Sequence, residues 1–253
     1  MFKCNILTLF PGMIRPYTEE SICKRAIEAG LVGIDLIDFR EYTLDKHRRV
    51  DDTPYGGGAG MLIAPQSVAS CFDDIMSHQE GKKVLNIYMC ASGRTFDQSL
   101  SKELAGYDEL NILCGHYEGV DQRVIDEYID MEISIGDYIL TGGELAAMVV
   151  VDSVIRHIPD VLGNSESTSE ESFGEDGLLE YPQYTRPPVF HGREVPEVLM
   201  SGHHANIRKW QREQAILKTM KVRPDMIKKA RLTPREMAEL NREKEDREGK
   251  KDS

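Results

Sequence analysis

Two hydrophobic periodicities alternate over the first 160 residues. Asn5–Phe10 is an apolar stretch that stops at Pro11, and Leu31–Phe39 alternates apolar positions such as Ile34 and Leu36 with Asp35, as a half-buried strand does. Between them, Glu19–Ala29 carries apolar residues at helical spacing and ends at Gly30, a residue suited to a left-handed C-terminal cap. Val84–Ala91 and Leu110–Cys114 are short apolar runs bounded by Gly or polar residues. They predict central strands of a parallel sheet, with Gln98–Ala105 as a crossover helix. Glu144–Ile158 reads as an apolar helix closed by Pro159. The rhythm predicts an α/β domain over residues 1–162.

The texture changes at Gly163. From there to Glu180, Ser165, Ser167, Thr168, Ser169 and Ser172 interleave with Glu166, Glu170, Glu171, Glu175, Asp176 and Glu180. So polar a stretch buries too little apolar area to order itself, which predicts a flexible interdomain linker over 163–182. A small helical domain follows over 183–253. Ala205–Met220 has a helical pattern, with Ile207, Trp210, Ile216 and Leu217 as packing positions. Thr233–Lys244 predicts a last helix with Thr233 and Glu236 as a capping box and Pro234 in its first turn.

Composition narrows the class. The 253 residues are 40% hydrophobic and 29% charged, enough for a real core and unlike a disordered, collagenous or coiled-coil chain. No apolar run approaches the roughly 20 residues of a membrane helix. The N-terminal stretch reads as a buried strand and not as a signal peptide. Five cysteines, Cys4, Cys23, Cys71, Cys90 and Cys114, form no C-x-x-C pair, which predicts reduced thiols in a cytoplasm and no cysteine-rich zinc site. A net charge of −12 argues against a nucleic-acid partner until its distribution is considered. Arg186–Arg231 holds eleven Lys and Arg against four Asp and Glu, a net of +7 that leaves −19 for the rest. Phosphate attraction acts over about 8–10 Å, so a basic module can grip RNA from within an acidic chain.

Three segments concentrate glycine: Pro54–Met61, Leu113–Asp121 and Ile135–Glu144. The first lacks a phosphate-cradling Lys, so it is no ordinary nucleotide loop, and the other two lack the G-x-G-x-x-G fingerprint. Two such loops at predicted strand ends favour a ligand pocket, which open α/β sheets build there.

Specific motifs then point to a family. Asp51-Asp52-Thr53-Pro54-Tyr55-Gly56-Gly57-Gly58-Ala59-Gly60-Met61, Cys114-Gly115-His116-Tyr117-Glu118-Gly119-Val120-Asp121-Gln122-Arg123 and Ser134–Glu144 resemble bacterial tRNA (guanine-N1)-methyltransferases of the TrmD type. Tyr184-Thr185-Arg186-Pro187 and Leu199-Met200-Ser201-Gly202-His203-His204 resemble them too, in order along the chain to about Pro224. The resemblance implies a SPOUT-class α/β fold with a parallel sheet and deep trefoil knot, plus a small helical C-terminal domain. It implies a homodimer that methylates N1 of the guanosine at tRNA position 37, with the tRNA anticodon arm as partner and no membrane or dedicated protein partner. Knots are otherwise nearly absent from protein chains, and periodicity does not predict one.

The resemblance also implies a bent S-adenosylmethionine in a cup of Tyr88, Met89, Cys90, Gly115, Tyr117, Glu118, Ile135, Gly136, Asp137, Tyr138, Ile139, Leu140, Gly142 and Gly143. Guanine N1 carries a proton, so transfer needs a base, and charge builds on O6. The family's base is an Asp two residues before a Phe. Glu171 holds that position here, one methylene longer, and Asp176 is the second candidate. Arg156 matches the family's catalytic Arg. Arg186, His203, His204, Arg208, Lys209 and Arg212 are the expected RNA contacts. The family is associated with magnesium, for which the sequence offers no site. The rival readings are a relative acting on another RNA position or on ribose, an RNA binder without donor binding, and a nucleotide hydrolase.

Overall fold

The computed structural model describes residues 1–163 and 171–238. The chain divides into two compact units, Met1–Gly163 and Asn164–Ser253. In the first, the elements run β1 (Phe2–Thr8), α1 (Pro11–Thr18), α2 (Ser21–Glu28), β2 (Val32–Asp38), β3 (Asp51–Asp52), β4 (Leu62–Ile63), α3 (Pro65–Met76), β5 (Val84–Thr95), α4 (Gln98–Leu104), β6 (Glu109–Cys114), α5 (Gln122–Tyr128), β7 (Met131–Ser134) and α6 (Glu144–Ile155). Five strands form one sheet in the order β2-β1-β6-β5-β7, every neighbouring pair parallel. Pro11 does not merely end the first strand. It opens α1, where its missing N–H would have had no partner anyway. Gly30, at φ +69°, takes the left-handed position after α2.

Both faces of the sheet are covered, which is why β6 is buried at every position. Cys4, Ile6, Ile87, Leu110 and Ile112 pack on one side with Val150 and Val154 of α6. Leu7, Leu113, Val68, Phe72 and Val124 pack on the other, with α3 and α5. One polar network runs through this core. Asn111 accepts from Asn5 (2.7 Å) and Gln79 (3.0 Å) and donates to Asn86 (2.7 Å). Asn5 also donates to the buried Glu109 (2.6 Å), which Lys82 reaches at 2.9 Å. Asn5, Asn86 and Asn111 sit at one level of three adjacent strands, so a slip of register would leave them all unpaired.

The second unit holds the hairpin β8 (Val189–Phe190) and β9 (Arg193–Glu194), then α7 (Glu197–Met200), α8 (His204–Val222) and α9 (Pro224–Ile227). Its core gathers Leu178, Ala215, Ile216 and Ile227. The Thr233–Glu236 capping box forms, with Thr233 N donating to Glu236 Oε2 at 2.7 Å. The final helix, expected to Lys244, lies outside the described residues from 239 onward. Of the expected linker, residues 164–170 also lie outside them. From Glu171 on, the chain differs from a free linker. Leu178 enters the core, Leu179 N donates to Thr219 Oγ1 (2.9 Å) and Glu180 N to Ser172 Oγ (2.9 Å). The Ser and Glu count concealed these anchors.

Candidate active site

A cavity of about 390 Å³ opens at the carboxyl ends of β5, β6 and β7. Three chain segments build it. Strand β5 meets β7 twice, with Met89 and then Arg94 against Ile133, so residues 90–93 bulge out at its rim. The loop after β6 and the loop before α6 are laced together. Gly143 N donates to Gly115 O at 2.9 Å, and His116 bridges to Gly142. A fourth segment is tied to the same rim, because Glu118 N donates to Met61 O at the end of the Gly56–Gly60 loop (3.0 Å).

Glycine is required here by close approach. A Cβ on Gly143 would lie 2.8 Å from Cys114 Cα, and one on Gly93 2.4 Å from Ile133 N. At Gly115 the missing side chain makes room for Tyr88, whose hydroxyl would sit 2.8 Å from a Cβ. Burial, with the nearby Cys90 and Glu132, pushes the Tyr88 phenol up to about 12, so it remains neutral. Burial and a hydrogen bond to Glu132 (3.0 Å) likewise push the Cys90 thiol up, which makes it a poor nucleophile.

Thirteen of the fourteen expected cup residues line this cavity. Asp137 does not. Tyr138 N donates to Gly136 O (2.9 Å), closing a three-residue turn that puts Asp137 at its exposed apex. Sequence reading missed Ser92, His116 and Glu132 on the wall. His116 stood inside a quoted motif. Glu132 lay in a strand too short to read. The volume suits a small ligand, and the lining fits an S-adenosyl group. Exposed backbone edges flank the apolar Ile135, Ile139 and Leu140, and Glu118 and Glu132 offer negative charge to a cationic ligand.

The remaining candidates divide between the units. Arg156 caps the C-terminus of α6 and is half-buried. Glu171 and Asp176 line a cleft of about 230 Å³ in the second unit, with Arg208, Gln211 and Arg212. Asp176 is engaged there: Arg212 donates to its Oδ2 at 2.6 Å. Arg212 also donates to Glu236 (2.8 Å) and to Arg231 O (2.8 Å), so its guanidinium staples three segments of the unit together. Arg212, one of the expected RNA contacts, is thus engaged inside the unit, a pairing that charge counts do not reveal. Arg208 and Lys209 stay exposed on α8. His203 is the N-cap of that helix and His204 its first residue, both exposed. Arg186 is exposed on a separate cleft with Tyr184 and Leu199. Trp210 is half-buried, 6.3 Å from the Tyr184 ring.

Among the described residues, no three His, Cys, Asp or Glu side chains converge to hold a metal ion, and no helix is long and apolar enough to cross a membrane.

Residues 2–229 match the family profile described as tRNA (Guanine-1)-methyltransferase TrmD. A tRNA (guanine-N(1)-)-methyltransferase of Clostridium perfringens (strain 13 / Type A) is 53% identical over 231 residues, 91% of this chain and 95% of the relative. One of Geobacter sulfurreducens is 51% identical over 246 residues, 96% of this chain and 99% of the relative.

Proposed function

Because the chain belongs to the tRNA (guanine-1)-methyltransferase family, we propose that it methylates N1 of the guanosine at tRNA position 37, beside the anticodon, with S-adenosylmethionine as donor. The observation that carries this reading is the cavity at the strand ends, walled by laced glycine loops and apolar side chains. When bound, S-adenosylmethionine supplies a methyl carbon on a sulfonium, already reactive enough that positioning is the protein's main task.

In this reading the chain's residues have separate duties. Tyr88, Met89 and Cys90, Gly115, Tyr117 and Glu118, and Ile135, Gly136, Tyr138, Ile139 and Leu140 with Gly142 and Gly143 hold and orient the donor, Asp137 serving only as the apex of the turn between Gly136 and Tyr138. Glu171 takes the N1 proton, and Arg156 faces the charge developing on O6. Asp176 remains the second candidate for the base, its carboxylate ion-paired to Arg212. Arg208, Lys209, Arg186 and the His203-His204 pair meet the anticodon arm. Its guanosine leaves the loop stack to reach the methyl group, as bases modified by other enzymes do. No step here is assigned to magnesium.

The trefoil knot belongs to this proposal and is supported by the lacing of Gly143 to Gly115 beside the doubled β5–β7 pairing. The homodimer is supported by apolar side chains exposed on the first unit, Phe10 just before α1, Met13 on α1, and Leu145 and Val149 on α6. A cytoplasmic site of action accords with five free thiols. Two unmodified tRNA transcripts, one with guanosine and one with adenosine at position 37, test the function. With methyl-labelled donor, only the first should gain label; equal labelling of both would overturn the assignment.

A further inference from the structure

Behind the wall of the donor pocket lies one buried polar group whose hydrogen-bonding is incomplete. Glu144, in the first turn of α6, has no exposed surface. Its Oε1 accepts from Thr8 Oγ1 at 2.7 Å, and Thr8 Oγ1 in turn accepts from Phe10 N at 2.9 Å. Its Oε2 is buried with no hydrogen bond. His116 Nε2 faces it from 3.6 Å, just beyond hydrogen-bond reach. Leaving a buried carboxylate oxygen unmet is costly, so the pair is poised to close.

The surroundings permit that closure and connect it to the pocket. His116 lines the cavity, whereas Glu144 lies outside its wall. The imidazole is flanked by the Phe10 ring, 4.7 Å between centroids, and by the edge of Tyr117 at 5.8 Å. Gly142 lies over the gap. A Cβ there would come within 2.4 Å of both Glu144 Oε2 and His116 Nε2, so only glycine leaves the two free to approach. The His116 backbone is bridged to Gly142, and its ring is itself part of the cavity wall.

We propose that His116 is a positioning residue of the donor pocket, acting with Glu144 as a clasp: its Nε2–H closes onto Glu144 Oε2 as the pocket fills and draws the loop after β6 onto the start of α6. The inference rests on the donor-pocket reading above and adds to it a residue that touches the carboxylate behind the wall.

Calorimetric titration of the full chain with S-adenosylmethionine and S-adenosylhomocysteine tests it, comparing the unaltered protein with His116→Ala and His116→Gln. The alanine variant should bind both ligands about tenfold more weakly, the ratio expected for one hydrogen bond to a charged group. The glutamine variant keeps an N–H and should recover most of that loss. In steady-state kinetics the KM for donor should rise, with kcat at saturating donor and the affinity for tRNA near the unaltered values. Unchanged donor binding by the alanine variant, or equal loss in both variants, would overturn the clasp. Failure of the unaltered protein to bind either ligand would instead remove the donor-pocket reading, and the clasp with it.

Discussion

Gly143→Ala sets two effects of opposite sign against each other. Gly143 has φ −80° and ψ −10°, an ordinary helical conformation that alanine adopts without strain. On backbone grounds alone, the substitution should stabilise by about 0.4–1 kcal/mol, through a less flexible unfolded chain. Packing argues the other way. The new methyl would lie 2.8 Å from Cys114 Cα, 3.1 Å from Gly115 N and 3.2 Å from Cys114 Cβ, all on a buried strand end. Ordinary carbon contacts need about 3.5–4.0 Å, so the two loops must separate by roughly 0.5–1 Å. Overpacking of this kind costs about 1–3 kcal/mol. Separation also breaks the 2.9 Å bond from Gly143 N to Gly115 O, worth about 1 kcal/mol. Set against the backbone gain, the net is a loss of about 1–3 kcal/mol. Urea unfolding followed by circular dichroism measures it; the single Trp210 would report only the second unit. Gly12→Ala is the control, because Gly12 in α1 has nothing within 4 Å of its would-be Cβ and should be neutral or slightly stabilised. If Gly143→Ala is as stable as that control and binds S-adenosylmethionine normally, the lacing of the two loops is wrong.

Three further outcomes are expected. Glu171→Gln should lower the single-turnover methylation rate by about 10²–10⁴-fold, whereas Asp176→Asn, whose carboxylate is held by Arg212, should cost less than tenfold at saturating tRNA; the reverse ranking would exchange the two roles. Neutralising Arg208 and Lys209 together should weaken tRNA binding and flatten its log–log salt dependence by about 1.5, with donor affinity unchanged; an unaltered slope in a filter-binding series would remove α8 from the interface. Burial opposes ionisation of Glu109, but hydrogen bonds from Lys82 and Asn5 and the charge of Lys3 outweigh it and hold its carboxyl below the usual carboxylate value. A depressed folded value means that this stabilisation is present above the unfolded value of about 4.3 and fades as pH falls through the folded one. Urea midpoints between pH 3 and 7 should therefore drop at the acid end, and Glu109→Gln should shrink the drop.

The strands that lie buried on both faces were legible from their continuous apolar runs, as β5 and β6 show. β7 was not, because four residues that include Glu132 carry too weak a pattern. α3 also went unread, although Val68, Cys71, Phe72 and Ile75 face the core, since Ser and Cys dilute its apolar stripe. The glycine loops could be located from composition. Their steric reasons could not, because the atoms that forbid a side chain at Gly143 belong to Cys114, far along the chain. Glu144 illustrates the same limit. An acid in the first turn of a helix reads as a solvated residue favoured by the helix dipole, and only the fold reveals it fully buried behind His116. Arg212 was counted with the basic surface, yet its partners Asp176 and Glu236 lie in other segments that no local pattern connects.

In the proposed reaction the glycine-walled cavity presents a methyl donor to one ring nitrogen of one anticodon-arm guanosine. Nuclease digestion of tRNA methylated by the purified protein, followed by mass spectrometry of the nucleosides and their flanking fragments, tests it most directly. The expected product is 1-methylguanosine at position 37, with no other new methyl group. A methyl found on ribose, on another base or at another atom of that guanine would contradict it.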